Sequence, residues 1–500
     1  MPITSSTKKV ASKGLIKTLE TKVNCSYTTE EERIIDKVLD GVVTCVIDSS
    51  EKVGDFLQFA GKVCLNSVYV GVDKQVGSER VETLFNDKIQ VGDVEAISVI
   101  PKVKSVKQRR ETSNFVDATI TLLVEVYGVV QETISYVEPN NDSIVEDSRD
   151  MEVESLLCYN NTIFNLTDEV ELPEVADRII TSYSTLTINK VTPNGNYVTI
   201  NGEVVRDIVY LVGDAIKRLQ KRSDLSQEVS LLNCTEDTTV MHGIYLSDEN
   251  YTNFTNDDQT RSNLSFSTNV CAYLWGFEKN KFNYLDDAFS TTRELIIRRS
   301  SFENTKHSAT IITSESLSEN IDMSDRKRID EVVSIGSNNV SIESTAMIDG
   351  IINIGGKISQ KIIGKNYDND DIFTSDVEVP FNCQIHTGIE GDLLMSEPVI
   401  ISRCTASKNK AGKELSLTYE LNISVDVKET KTEVYIAECS EEGTKEQGDQ
   451  SIVIYMPRGK ETVFEIAKKL NVMPDVILSQ NPGMSDAERI EKVVIFKGAK

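Results

Sequence analysis

Any catalysis or metal binding by this 500-residue chain would have to be built from three histidines, nine cysteines and an excess of carboxylates. His242, His307 and His386 lie far apart. None stands in a His-x-x-x-His pair or beside paired cysteines, the spacings that set ligands around one zinc ion. No metal is expected, and each histidine reads as a surface or satisfied sheet residue. Cysteines 25, 45, 64, 158, 234, 271, 383, 404 and 439 come singly, with no Cys-x-x-Cys, which favours a reducing compartment over a disulfide framework. The Cys-His or metal-His constellation of wall amidases and cysteine peptidases is not recognisable. Glycoside cleavage needs only two carboxylates, and 79 Asp and Glu residues always offer a pair, so residue types alone leave muramidase action open. No Gly-x-Gly-x-x-Gly follows a strand and no Gly-x-x-x-x-Gly-Lys-[Ser/Thr] occurs, so no nucleotide cofactor is indicated. The chain is therefore expected not to be an enzyme, with no catalytic residue and no cofactor assigned.

Recognition chemistry is concentrated near the C-terminus. Ile452, Ile454 and Met456 alternate as a short strand that Pro457 and Gly459 break. Glu461 and Thr462 then open a helix, on which Val463, Ile466, Ala467 and Leu470 recur at helical spacing, with Lys468 and Lys469 near its C-terminal end. Pro474 starts a second helix, Ile477 supplies core, and Asn481-Pro482-Gly483 stops it before a closing strand, Val493–Phe496. The pattern predicts β-α-α-β. At these residues the segment resembles a LysM domain, whose opening is matched by Gly459-Lys-Glu-Thr-Val463 and whose second helix end is matched by Asn481-Pro482-Gly483. The resemblance implies a groove flanked by Gly459, Lys460, Glu461, Thr462, Val463, Asn481, Pro482, Gly483 and Met484. Such grooves typically hold N-acetylglucosamine polymers. Here Glu461 replaces the usual Asp, and Asp486–Lys492 replaces the turn before the final strand.

The body repeats itself three times. Arg33-Ile34, Arg178-Ile179 and Arg328-Ile329 each begin a stretch running to a Gly-charged-aliphatic step at Gly61, Gly202 and Gly356. The intervals are 28, 24 and 28 residues, which suggests a shorter loop at Pro193-Asn-Gly195 in the second copy. Seven residues past each glycine stands a branched aliphatic: Val68, Val209 and Ile363. Farther on, Ile120, Leu264 and Leu415 each open a long alternating strand, the third with Leu415, Leu417, Tyr419, Leu421, Ile423, Val425 and Val427 on one face. A period near 150 residues indicates duplicated domains, not a solenoid. The expected fold is mainly β: three tandem β-sandwich-like domains of short strands at residues 8–140, 151–295 and 296–437, then an acidic flexible linker at 438–450 and a small α+β LysM domain at 451–498. Each repeated glycine should mark a bulge or a close backbone approach. Trp275 is expected to pack within a sheet or between domains.

A formal net charge of −26 argues against nucleic acid or an anionic bilayer as a partner of the body. The start of the chain has no apolar signal region, and no run approaches the ~18 apolar residues of a spanning helix, so a cytoplasmic protein is expected. Together, the three Arg-Ile starts, the three glycine steps, the late long strands and the terminal module resemble clostridial spore coat morphogenetic proteins of the SipL type, whose repeats are called SPOCS domains. The resemblance implies a location in the mother-cell cytoplasm at the outer forespore surface. It also implies a non-enzymatic scaffold whose LysM groove holds the coat basement-layer ATPase, stage IV sporulation protein A, alongside other coat proteins. A peptidoglycan or N-acetylglucosamine binder in cortex or wall assembly is the alternative, and a LysM-targeted wall hydrolase comes third.

Overall fold

The computed structural model describes residues 5–30, 33–139, 144–213, 215–255, 260–323, 327–369, 371–388, 392–394, 399–445, 452–457, 461–482 and 492–496. The chain is mostly β, and one strand order recurs three times. The first unit contains β1 (Ser5–Thr28), β2 (Ile35–Val53), β3 (Phe56–Gly71), β4 (Val76–Gln90), β5 (Glu95–Arg110) and β6 (Phe115–Val137). Strands β2-β3-β4 make one antiparallel sheet and β1-β6-β5 another, so the first strand returns beside the last. The second unit repeats this with β7 (Val145–Glu171), β8 (Arg178–Asn194), β9 (Tyr197–Val212), β10 (Ala215–Ser230), β11 (Thr239–Thr255) and β12 (Ser262–Phe289). The third has β13 (Arg293–Asp322), β14 (Ile329–Ile348), β15 (Ile351–Asn366), β16 (Ile372–His386), β17 (Asp392–Leu394), β18 (Val399–Lys408) and β19 (Glu414–Thr444). There β19 pairs with β13 on one side and with β17 and β18 on the other.

In every unit the two sheets face each other across a shared core. Ile120, Leu122, Val124 and Val126 of β6 are fully buried against Val63 and Leu65 of β3. The alternating face from Leu415 to Val427 is buried in the same way against Ile352, Ile354 and Ile358. In the second unit Val270, Ala272 and Leu274 meet Val198, Ile200 and Val204. Each Val, Leu or Ile side chain among them contributes about 1.5–3 kcal/mol by leaving water. The strands that carry these faces are not short. Most run for 15 residues or more, and β19 for 31, because bulges let a long strand bend without losing its partner.

The repeated glycines sit at one equivalent place. Opposite Gly61, Gly202 and Gly356 the neighbouring strand slips register, at Ile47/Ser49, Ile188/Lys190 and Ile342/Ser344. A Cβ built on any of the three would stand 2.2 Å from a backbone carbonyl oxygen, of Val46, Thr187 or Ser341. The bulge pushes that carbonyl into the space a side chain would need. The second copy is not shortened at its turn: Val53/Phe56, Asn194/Tyr197 and Ile348/Ile351 all close two-residue hairpins. Its strand β8 instead enters later and carries fewer bulges than β2, so the Arg-Ile pairs are not equivalent positions.

A second set of bulges carries the contact between units. Leu39, Ile180 and Val333 are the extra residues at Val38/Asp40, Ile179/Thr181 and Val332/Ser334. They meet Val68, Val209 and Ile363, the aliphatics seven residues past the glycines, in one buried cluster drawn from all three units. Beside it lies Asp40, 1% exposed. Its carboxylate accepts hydrogen bonds from Tyr183 Oη of the second unit at 2.8 Å and from Ser337 N and Oγ of the third, both at 2.7 Å. Lys361 Nζ stands 3.7 Å away. Burial, and then the charge of Asp40, push the Tyr183 hydroxyl well above its ordinary pKa, so the tyrosine stays a donor. The first and second units are further joined where β5 bulges between Glu95 and Ser98. Tyr159 Oη, Tyr273 Oη and Trp275 Nε1 donate to the carbonyls of Ile97, Val99 and Ala96 at 2.6, 3.2 and 2.7 Å. Trp275 is thus a packing residue between units.

The expected boundaries shift. Val145–Asp150, left between the first two expected domains, is the start of β7, and the second join falls at 290–292 between β12 and β13. Residues 438–444 of the expected linker are the end of β19, with Cys439 opposite Ile297 and Thr444 opposite Arg293. Cys439 is buried beside Ile436 and Leu285. Of the linker, 446–450 lie outside the described residues.

Gly202→Ala should lower stability by about 1–3 kcal/mol, because backbone must move to admit the methyl group; an unchanged urea midpoint would contradict the close approach. Asp40→Ala leaves three donors, Tyr183 Oη and Ser337 N and Oγ, without their acceptor. It should cost about 1–3 kcal/mol in the earliest urea unfolding transition.

Candidate functional site

The C-terminal module is β20 (Ile452–Tyr455), α1 (Val463–Leu470), α2 (Pro474–Gln480) and β21 (Val493–Phe496), with β20 antiparallel to β21. Thr462 caps α1. Its hydroxyl accepts from Glu465 N at 3.2 Å while Glu465 Oε2 accepts from Thr462 N at 2.9 Å, a reciprocal capping box. Lys468 and Lys469 occupy the last turn, where the helix dipole favours cations. Pro474 starts α2 at a position whose N–H has no helical partner. Ile466, Ala467 and Ile477 are fully buried with Val493 and Ile495, and Leu470 packs on them half-buried.

The residues expected to flank a groove have mostly structural work. Val463 is buried in the module core. Asn481 fastens the end of α2 to β21: Nδ2 donates to Ile477 O at 2.8 Å and Val494 O at 2.9 Å, and Oδ1 accepts from Val494 N at 2.9 Å. Glu461 accepts from Tyr455 Oη at 2.8 Å and pairs with Lys469 Nζ. Thr462 is the cap, and Pro482 is exposed in the turn after α2. Gly459, Lys460, Gly483 and Met484 lie outside the described residues. Glu461, Thr462 and Pro482 thus retain surface at which a partner could be read, whereas Val463 and Asn481 hold the scaffold.

The module is docked on the body through one face of α1. Phe464 meets Phe289 edge-on at 5.4 Å, in a cluster that also holds Val145. One turn on, Lys468 pairs with Asp287, which also faces Arg299 at 3.2 Å. At the helix end Asn471 Nδ2 donates to Thr291 O at 3.2 Å. Lys445 Nζ bridges Ser290 O at 2.9 Å and Asn471 Oδ1 at 3.1 Å. This docking, which sequence reasoning missed, replaces the independence expected of a module behind a flexible linker. Its signal was the i, i+4, i+7 spacing of Phe464, Lys468 and Asn471.

Elsewhere the fold gathers two of the histidines. His307 Nε2 lies 3.0 Å from Thr310 Oγ1 and 3.5 Å from Asp426 Oδ1, and Thr310 Oγ1 donates to the same oxygen at 2.6 Å. Burial alone would raise the Asp426 carboxyl, but the hydrogen bonds from His307 and Thr310 outweigh it and the net direction is down. Burial lowers His242, against an opposing pull from Asp426. Among the described residues no group of three or more His, Cys, Asp or Glu is arranged to hold a metal. Burial pushes the Cys45 and Cys404 thiols up to about 12, the reverse of what a nucleophilic thiolate needs. All nine cysteines are free thiols.

No family model matches the chain, and no curated protein matches it. No helix among the described residues is long and apolar enough to cross a membrane.

Phe464→Ala combined with Lys468→Glu should release the module from the body. Small-angle scattering checks this: the maximum dimension should grow while circular dichroism stays unchanged, and an unaltered envelope would show that other contacts hold the module.

Proposed function

We propose that this chain is a non-enzymatic scaffold of the spore coat, built from three tandem β-sandwich domains of the SPOCS type and a C-terminal LysM domain. In this reading it works in the mother-cell cytoplasm at the forespore surface and binds the basement-layer ATPase, stage IV sporulation protein A, through the LysM domain. The observation that carries it is the division of labour on the small module. Phe464, Lys468 and Asn471 face the body. Glu461 and Asn481 make their hydrogen bonds to Tyr455, Lys469, Ile477 and Val494 within the module. A module held by one helix face while its first loop and second helix end are fastened internally suits a presented recognition surface. The body suits a mount, since a buried carboxylate and a shared apolar cluster lock its units. Thiols that burial pushes up in pKa favour binding over catalysis.

A glycan reading of the same groove rests on the β-α-α-β pattern alone, so it ranks second, and a wall hydrolase ranks third. Co-purification from sporulating cells separates them. The whole chain should capture the ATPase, and a chain ending at residue 450, which keeps all of β19, should not. Undiminished capture by the truncated chain refutes the assignment. Pelleting with purified peptidoglycan, competed by chitin oligomers, would favour the glycan reading.

A further inference from the structure

The two-stranded sheet of the terminal module is closed along one edge only. Gln480 and Asn481, at the end of α2, stand in for a strand beside β21: Asn481 Nδ2 and Oδ1 bond Val494 O and N, both at 2.9 Å, and Gln480 Nε2 and Oε1 bond Phe496 O and N at 3.2 and 2.6 Å. An N–H donates once, so Val494 and Phe496 turn their backbone donors away from β20. In an antiparallel pair the residues opposite such positions also turn outward. These are Ile454 and Ile452, whose N–H and C=O groups therefore project from the far edge of β20. Among the described residues no strand or backbone group pairs with them. We propose that this edge takes an extended segment of another protein, added antiparallel as a third strand, with apolar side chains at alternate positions and acidic residues at its flanks.

The side chains agree with the backbone pattern. Val453 and Tyr455 pack in the module core with the helices. Ile452, Ile454 and Met456 alternate with them and are 59, 60 and 68% exposed, and Phe496, opposite Ile452, is 57% exposed. The body grips the module through α1, which leaves this apolar face in water. Edge strands of the body are defended. Asp376, Glu378 and Pro380 on β16, and Lys217, Lys221 and Arg222 on β10, are charges and a proline of the kind that discourage a further strand. From Ile452 to Met456 the chain carries no charge. An open edge beside an apolar face is what strand addition uses, backbone bonds supplying affinity and alternate side chains supplying selection.

Charge chooses between a second copy and a different partner. From Ser451 onward 8 Lys and Arg stand against 6 Asp and Glu, a net +2, whereas residues 1–450 carry 45 against 73, or −28. Pairing β20 with its twin would bring two such bodies together, and like charge opposes that. A strand with acidic flanks instead meets the basic module, where Lys492 is exposed just before β21. The inference rests on the module being a recognition surface, and on no particular identity for what it recognises.

The test is calorimetric titration of the full chain with the peptide Glu-Glu-Val-Thr-Ile-Thr-Val-Glu-Glu. Binding is expected, and Lys in place of the flanking Glu should weaken it at least about tenfold. Methylating the backbone nitrogens of the Val and Ile residues removes the donors that reach Ile452 and Ile454 and should abolish binding; methylating those of the Thr residues, on the outer edge, should not. In residue-resolved hydrogen exchange, the Ile452 and Ile454 amides should exchange quickly in the free chain and slow when peptide is bound, with Val453 and Tyr455 slow throughout. Ile454→Lys, at an exposed position, should weaken binding at least about tenfold. No binding, equal binding by the peptide methylated at Val and Ile, or unchanged exchange at Ile452 and Ile454 would overturn the proposal. So would a dimer in sedimentation that Ile454→Lys dissociates, since a second copy would then occupy the edge. Loss of peptide binding with capture of the ATPase intact rejects this inference alone, and the converse rejects only the proposed function.

Discussion

Asp40 is a carboxylate taken out of water at the point where three β-units meet, and it is tolerable only because two of those units supply its partners. Tyr183, Ser337 and Lys361 must all be in place before the charge is compensated. Misplacing either neighbour would strand a buried ion, so this contact specifies the arrangement more sharply than the apolar plug beside it could. The equivalent positions in the other units are Thr181 and Ser334, both neutral. Three carboxylates around one junction would repel one another without enough partners to share. A repeated backbone therefore carries a charge in one copy only.

The bulges make that junction possible. A regular strand keeps every second residue on the core face. An extra residue at Leu39, Ile180 or Val333 turns one aliphatic side chain out of the unit and toward its neighbours. The bulge in β5 does the same for hydrogen bonding, freeing the carbonyls of Ile97 and Ala96 that Tyr159 and Trp275 of the second unit capture. One device, a strand with one residue too many, thus serves both the apolar and the polar parts of the contact between units.

Much of this was legible in the residues, in proportion to how local the physics is. The alternating face from Leu415 to Val427 could be read because pleating has a period of two. The glycines at 61, 202 and 356 could be read because a close backbone approach leaves a letter behind. The capping box at Thr462 and Glu465 obeys short-range rules, and helix α1 lies where they place it. The acidic stretch after Glu438 misled, since hydropathy does not report a strand held mainly by backbone bonds. Its partner, Arg293–Arg298, lies about 140 residues away in sequence. The Arg-Ile pairs also misled: a bulge changes the count along a strand without changing the place where the strand packs.

By itself the sequence determined the β character, the threefold repetition, the β-α-α-β ending and which faces are apolar, because periodicity, turn chemistry and missing side chains act over a few residues. Tertiary structure alone decided that Val68, Val209 and Ile363 share one cluster, that Asp40 locks three units, that Phe464 seats the terminal module on Phe289, and that a polar cavity remains at the centre. Those outcomes depend on pairings between residues roughly a hundred or more apart in the chain. Closing such distances is settled by the summed burial and hydrogen bonding of the whole fold, which no local pattern records.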